Sequence, residues 1–130
     1  MNDLADRVEL SDLVNRLGRW LDDKEFDDPT LVTADITAST PNGDARGVAE
    51  VAALASAAHP PNVQTHHLIT NPVIDLDGDR AVVRANVIAV FDDGDKPQLT
   101  GGRYRFETTR TGSGWKLSRL EVQPRWRFGT

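Results

Sequence analysis

Two of the chain's three histidines are neighbours, His66 and His67, in the run Asn62-Val-Gln-Thr-His-His-Leu-Ile-Thr70. Side chains alternate along a strand, so Val63, Thr65, His67 and Ile69 share one face while Gln64, His66 and Leu68 take the other. His67 therefore has mostly apolar neighbours, where a titratable ring is costly to bury without a partner. Imidazole changes charge near neutral pH and is the commonest proton-transfer side chain, which makes His67 the candidate acid–base group. The plainer alternative is a core histidine bonded to a backbone carbonyl. His66 points away from His67, so the two cannot hold one metal from a single strand, and His66 reads as a structural or surface residue. His59, ahead of Pro60-Pro61, reads as a helix-end residue near the last carbonyls. With no H-x-x-x-H, facial triad or acidic loop, no metal is expected. The absence of cysteine removes disulfides, thiolate nucleophiles and Cys-ligated zinc.

The elements that must position these groups follow from periodicity. Leu10, Leu13, Val14, Leu17, Trp20 and Leu21 recur at intervals of three and four, which predicts a helix over residues 1–24 with Asn2 or Asp3 as its cap. Asp28 and Pro29 read as the cap and first position of a second, short helix. Residues 33–40 are rich in β-branched residues and predict a strand, closed by turn chemistry at Pro41-Asn-Gly-Asp44. Val48–Ala58 is alanine-rich and helical, and His59-Pro60-Pro61 stops it. Strands are predicted over 63–70, 72–76, 80–91, 99–110 and 115–127. Asp77-Gly-Asp79 forms a tight hairpin turn, residues 92–97 a solvated loop, and Gly101-Gly102 a bulge or sharp bend in its strand. Helices followed by a run of antiparallel strands predict an α+β domain, with helices on one sheet face and a pocket where the layers diverge.

At 130 residues the chain fits one domain, and its formal net charge of -5 argues against nucleic acid or an anionic membrane as partner. The N-terminus lacks an apolar signal core and no run could span a bilayer, so a soluble cytoplasmic protein is the expectation.

Several local phrases match one family. These are Asp12-Leu-Val-Asn-Arg-Leu17 with Leu21-Asp22, Thr65-His-His-Leu-Ile69, Asp77-Gly-Asp-Arg-Ala-Val-Val-Arg84, Gly101-Gly-Arg-Tyr-Arg105 and Gly114-Trp-Lys-Leu117 with Arg125-Trp126. In that order they resemble the SnoaL-like branch of the NTF2-like superfamily, which includes scytalone dehydratase, ketosteroid isomerase and polyketide cyclases. The resemblance implies a cone-shaped fold of helices on one strongly curved sheet. It also implies that His67 is the catalytic histidine and Asp22 the carboxylate that orients it. Periodicity alone leaves Asp22 and Asp23 open, since they flank the apolar stripe on opposite sides. Their other reading is a solvated helix end, pairing with Arg19 and Lys24.

Trp20, Asn86, Tyr104 and Trp126 are the candidate pocket residues: Tyr104 and Trp126 carry polar tips that need partners when buried. Leu21 stands where the dehydratase has a tyrosine, and Asn86 falls roughly where it has a second histidine. The resulting expectation is a cofactor-independent dehydratase, isomerase or cyclase acting on a hydrophobic, oxygenated small molecule. A non-catalytic small-molecule-binding domain and an epoxide-opening hydrolase are the alternatives. The resemblance further implies a homodimer through the outer sheet face, on which Trp115 and Leu117 are placed.

Overall fold

Residues 3–129 are described by the structure, a computed structural model. The element order is α1 (Leu4–Asp22), β1 (Val32–Thr40), β2 (Gly43–Arg46), α2 (Gly47–Ala58), β3 (Gln64–Asp77), β4 (Arg80–Asp92), β5 (Gln98–Thr111) and β6 (Gly114–Phe128). The strands form one curved six-stranded sheet in the order β2-β1-β6-β5-β4-β3. Every neighbouring pair is antiparallel except β1 with β6, which is parallel.

The apolar stripe of α1 is buried as its spacing requires: Leu10, Leu13, Val14, Leu17 and Leu21 all face the sheet. They meet Val83, Phe106, Leu117 and Ile36, each at most 1 % exposed. Burial of each such side chain contributes on the order of 1.5–3 kcal/mol. α1 packs mainly on β3, whereas α2 packs on β1 and β2. The helices thus cover opposite ends of the sheet and leave a hollow over its middle strands.

At the far end of α1, Arg110 ties three elements together. Its guanidinium donates to both Asp6 oxygens at 2.7 and 2.8 Å and to Asp79 at 2.9 Å. It also lies 4.7 Å from the Trp115 ring centroid, and the Trp115 indole N–H donates to Asp6.

Several expectations change. Asn2 lies outside the described residues, and Asp3 occupies the N-cap position without a side-chain capping bond. No helix forms at Asp28-Pro29. There the Asp28 carboxylate accepts the Thr30 N–H at 2.9 Å in a local turn, and the Leu31 carbonyl accepts the Leu117 N–H at 2.9 Å, drawing the chain into β1. The turn at Pro41-Asn42 leads into a short strand, β2, that the pattern did not signal. Residues 64–77 are one strand rather than two; the apparent break is a register shift between Thr70 and Val73, with Asn71 at φ 56°.

The last strand holds the most consequential correction. Leu117 pairs with Thr108 and Arg119 with Glu107, leaving Ser118 unopposed; Pro124 pairs with Gly102 and Trp126 with Gly101, leaving Arg125 unopposed. Each extra residue switches which side chains face inward. Trp115 and Leu117, expected on the outer face, are buried in the core at 4 % and 1 % exposure. Leu120, Val122 and Pro124 then face the hollow.

Candidate active site

α1 ends at Asp22, which it brings against β3. Lys24 adopts φ 55°, its N–H bonds to the Leu21 carbonyl, and the Glu25 N–H bonds to that of Trp20, which closes the helix in a Schellman motif. One turn before Asp22, Gly18 is buried. A Cβ there would sit 3.5 Å from Ile69 and 3.6 Å from the His67 carbonyl, so the missing side chain sets how closely α1 approaches β3. The Asp22 carboxylate then meets three donors on β3. It accepts the Thr65 hydroxyl at 3.0 Å, the His67 backbone N–H at 3.0 Å and the His67 Nδ1–H at 2.6 Å. The His67 side chain is 3 % exposed and that of Asp22 16 %. Asp23 is exposed, so the choice between the two acids falls to Asp22.

A carboxylate at a helix C-terminus faces the negative end of the helix dipole, an unfavourable place for it. Burial is the largest influence on Asp22 and pushes its pKa up. The hydrogen bonds from the His67 ring and backbone, with the His67 charge and the Thr65 hydroxyl, together outweigh it, and the net shift is downward. Asp22 is therefore an anion that fixes the tautomer and orientation of His67.

His59 faces the same ring. Its Nδ1 lies 2.7 Å from the Ala55 carbonyl and its Nε2 lies 3.4 Å from His67 Nε2. A carbonyl and a carboxylate only accept, so each ring must carry a proton on Nδ1. Two neutral rings would then point lone pairs at each other, and one further proton between the Nε2 atoms removes the conflict. Burial is the largest influence on His59 and pushes its pKa down; the Ala55 carbonyl comes next and pulls it up, the charges of His67 and Lys24 push it down, Asp22 pulls it up, and the net shift is downward. The Lys24 Nζ is buried without a hydrogen-bond partner among the described residues. His59 is thus more than a helix-end residue. The helix stop at His59-Pro60-Pro61 was visible in sequence, but its partner was not.

Both imidazoles open onto a cavity of about 380 Å³ between the helices and the sheet. Phe91 packs on both rings, at centroid distances of 5.7 Å from His59 and 6.1 Å from His67. Trp20 contributes its ring face to the wall, while its N–H is committed to the Asp28 carbonyl at 3.0 Å. Tyr104 lines the cavity, and its hydroxyl makes no hydrogen bond to the described residues. Burial, and then the Asp22 charge, push its pKa far up, so it remains a protonated donor.

Two expected pocket residues are elsewhere. Asn86 is exposed on the outer sheet face with Arg84 and Ile88, while Val87 and Ala89 face the cavity. Trp126 is 47 % exposed, and its ring lies over Gly101, where any side chain would collide with it. The unopposed Arg125 reverses the alternation and brings Arg127 to the cavity wall instead. Among the described residues no group of three or more His, Cys, Asp or Glu side chains converges as a metal site.

A family model of the SnoaL-like domain matches residues 2–121. The chain belongs to the SnoaL-like family. Solved structures agree on the fold. The Kfla4162 protein of Kribbella flavida is 28 % identical, with a TM-score of 0.87 over 98 % of this chain and 95 % of that one. A Novosphingobium aromaticivorans protein assigned as a scytalone dehydratase is 20 % identical, with a TM-score of 0.86 over 98 % and 89 %. The hexachlorocyclohexane dehydrochlorinase LinA-type3 of Novosphingobium barchaimii is 19 % identical, with a TM-score of 0.85 over 98 % and 91 %. No curated protein matches the sequence. The SnoaL-like fold here encloses a hollow, and no helix among its described residues is long and apolar enough to cross a membrane.

Proposed function

We propose that this SnoaL-like protein is a cofactor-independent lyase or isomerase that acts on a hydrophobic, oxygenated small molecule. The observation that carries this reading is the 2.6 Å contact between the Asp22 carboxylate and the His67 ring, whose far edge opens onto an otherwise apolar hollow. Once the shared proton has left, His67 Nε2 removes a proton from a carbon next to a carbonyl. The C–H electron pair becomes a carbon–carbon double bond, and the carbonyl oxygen takes up enolate charge against the Tyr104 hydroxyl. In a dehydration the β-hydroxyl then leaves with the C–O electron pair and takes the abstracted proton, so that water is the only by-product. In an isomerisation the same proton returns at another carbon. Asp22 stabilises the imidazolium that exists between the two steps.

The test is turnover on a substrate found by screening β-hydroxy ketones and related cyclic ketones. His67→Ala and Asp22→Asn should each lower kcat by at least ~100-fold, the scale of a lost acid–base group. Near-wild-type turnover in both would end the mechanism.

The reading includes a homodimer formed through the outer sheet face, where Leu68, Val73, Ile88 and Trp126 are exposed. Sedimentation of a monomer at micromolar concentration would contradict it.

A further inference from the structure

The register places four cavity-facing residues on one rung of the sheet. His67 pairs with Ala89, Ala89 with Thr100, and Thr100 with Arg127. All four line the cavity. Three inter-strand steps put the ends of the rung about 14 Å apart along the sheet. Between the imidazole and the guanidinium the rung carries only the small side chains of Ala89 and Thr100. The gap between them suits a single ring bearing one substituent.

Among the described residues, Arg127 is the one permanently charged side chain on the cavity wall. Unlike Arg105, Arg110 and Arg119, which are paired with acids, it forms no ion pair or hydrogen bond with the described residues. Thr100 and Gln98, on the same face of β5, line the cavity beside it and also have free side-chain hydrogen-bonding groups among the described residues. A guanidinium with two adjacent neutral hydrogen-bonding groups matches a carboxylate. Polarity along the rung sets the orientation. An anion is attracted to the Arg127 end, where the permanent positive charge lies.

We propose that the cavity takes a cyclic small-molecule carboxylate, its carboxylate held by Arg127 with Thr100 and Gln98 and its reactive carbon at His67. This deepens the acid–base reading above and rests on it for the role of His67. The binding claim has its own readout.

The experiment is calorimetric titration with benzoate and with its neutral isostere benzamide, using the wild-type protein, Arg127→Gln, Arg127→Lys and His67→Ala. Wild type should bind benzoate at least about tenfold more tightly than benzamide. Arg127→Gln should erase that preference and leave benzamide affinity unchanged; Arg127→Lys should keep part of it. His67→Ala should preserve it. No saturable benzoate binding, equal affinity for the two probes in wild type, or an undiminished preference in Arg127→Gln would overturn the assignment. So would a preference lost in His67→Ala rather than at Arg127, since the anion would then sit at the imidazole. Turnover that survives His67→Ala would defeat the catalytic reading without altering these binding results.

Discussion

His59 and His67, from different elements, face each other Nε2 to Nε2 at 3.4 Å, and each has its other nitrogen committed as a donor. The pair therefore leaves only its two Nε2 atoms for proton exchange at the cavity wall. His59→Phe removes an acceptor beside His67 Nε2, so kcat should fall about tenfold because the transient imidazolium is less stabilised, with KM little changed. An unchanged kcat would show that His59 only packs.

Asp22 should separate chemistry from folding. An asparagine that keeps its oxygen on the His67 backbone N–H puts its NH2 in the place of Oδ1, where it donates to the Thr65 hydroxyl, which turns from donor to acceptor, and to Nδ1, forcing the proton onto Nε2. Asp22→Asn should therefore fold, with the reversed tautomer visible in ¹⁵N NMR of His67. Asp22→Ala leaves the Thr65 hydroxyl and the His67 N–H without their acceptor. It should lose about 1–3 kcal/mol per orphaned group in denaturant titrations. Equal stability of the two variants would refute this division.

Gly18 sets the spacing of α1 over β3. The nearest atoms to an added Cβ lie at 3.5–4.0 Å, ordinary contact distances, so Gly18→Ala should be tolerated or slightly stabilising through helix propensity. Gly18→Leu should push α1 off β3 and part Asp22 from His67, with a loss of about 1–3 kcal/mol from overpacking. A leucine variant with native stability and a native His67 spectrum would contradict the argument.

Acid should open the clamp at the far end of α1. Hydrogen bonds from Arg110 and then from the Trp115 indole hold the Asp6 pKa at about 2, below its ordinary 3.8. A depressed folded-state value stabilises the fold above the unfolded-state value and is lost as pH falls from there toward about 2. Asp6→Asn should lower the Tm at pH 7 and flatten the decline in Tm between those two pH values. Parallel Tm curves for variant and wild type would exclude the linkage.

Deleting Arg125 tests the bulge itself. Removal of the unopposed residue makes Pro124, Trp126 and Arg127 consecutive, so simple alternation keeps Trp126 outside opposite Gly101 and Arg127 inside opposite Thr100. Benzoate should then keep its advantage over benzamide. Loss of that advantage would mean that the alternation does not control which residue reaches the wall.

The sequence by itself determined the elements and most of their faces. The three-and-four spacing from Leu10 to Leu21 has only one helical solution that buries it, and strict alternation at Val83, Ala85, Val87 and Ala89 fixes the inward side of β4. Alternation also put His67 on the inner face, and the paired glycines of β5 lie opposite a bulge whose extra residue belongs to β6. Tertiary structure decided which groups meet. Asp22 was preferred over Asp23 only by resemblance; the close approach at Gly18 and the helix end at Lys24 bring its carboxylate to β3. His59 carries no local sign of a partner across a cavity. The glycines signal that β5 deforms, but which residue of β6 is left unopposed depends on the pairing of both strands. That pairing moved Trp115 and Leu117 into the core, Trp126 out and Arg127 in. A period of two has no memory of an extra residue, so one insertion reverses every face beyond it, and only the neighbouring strand records where it falls.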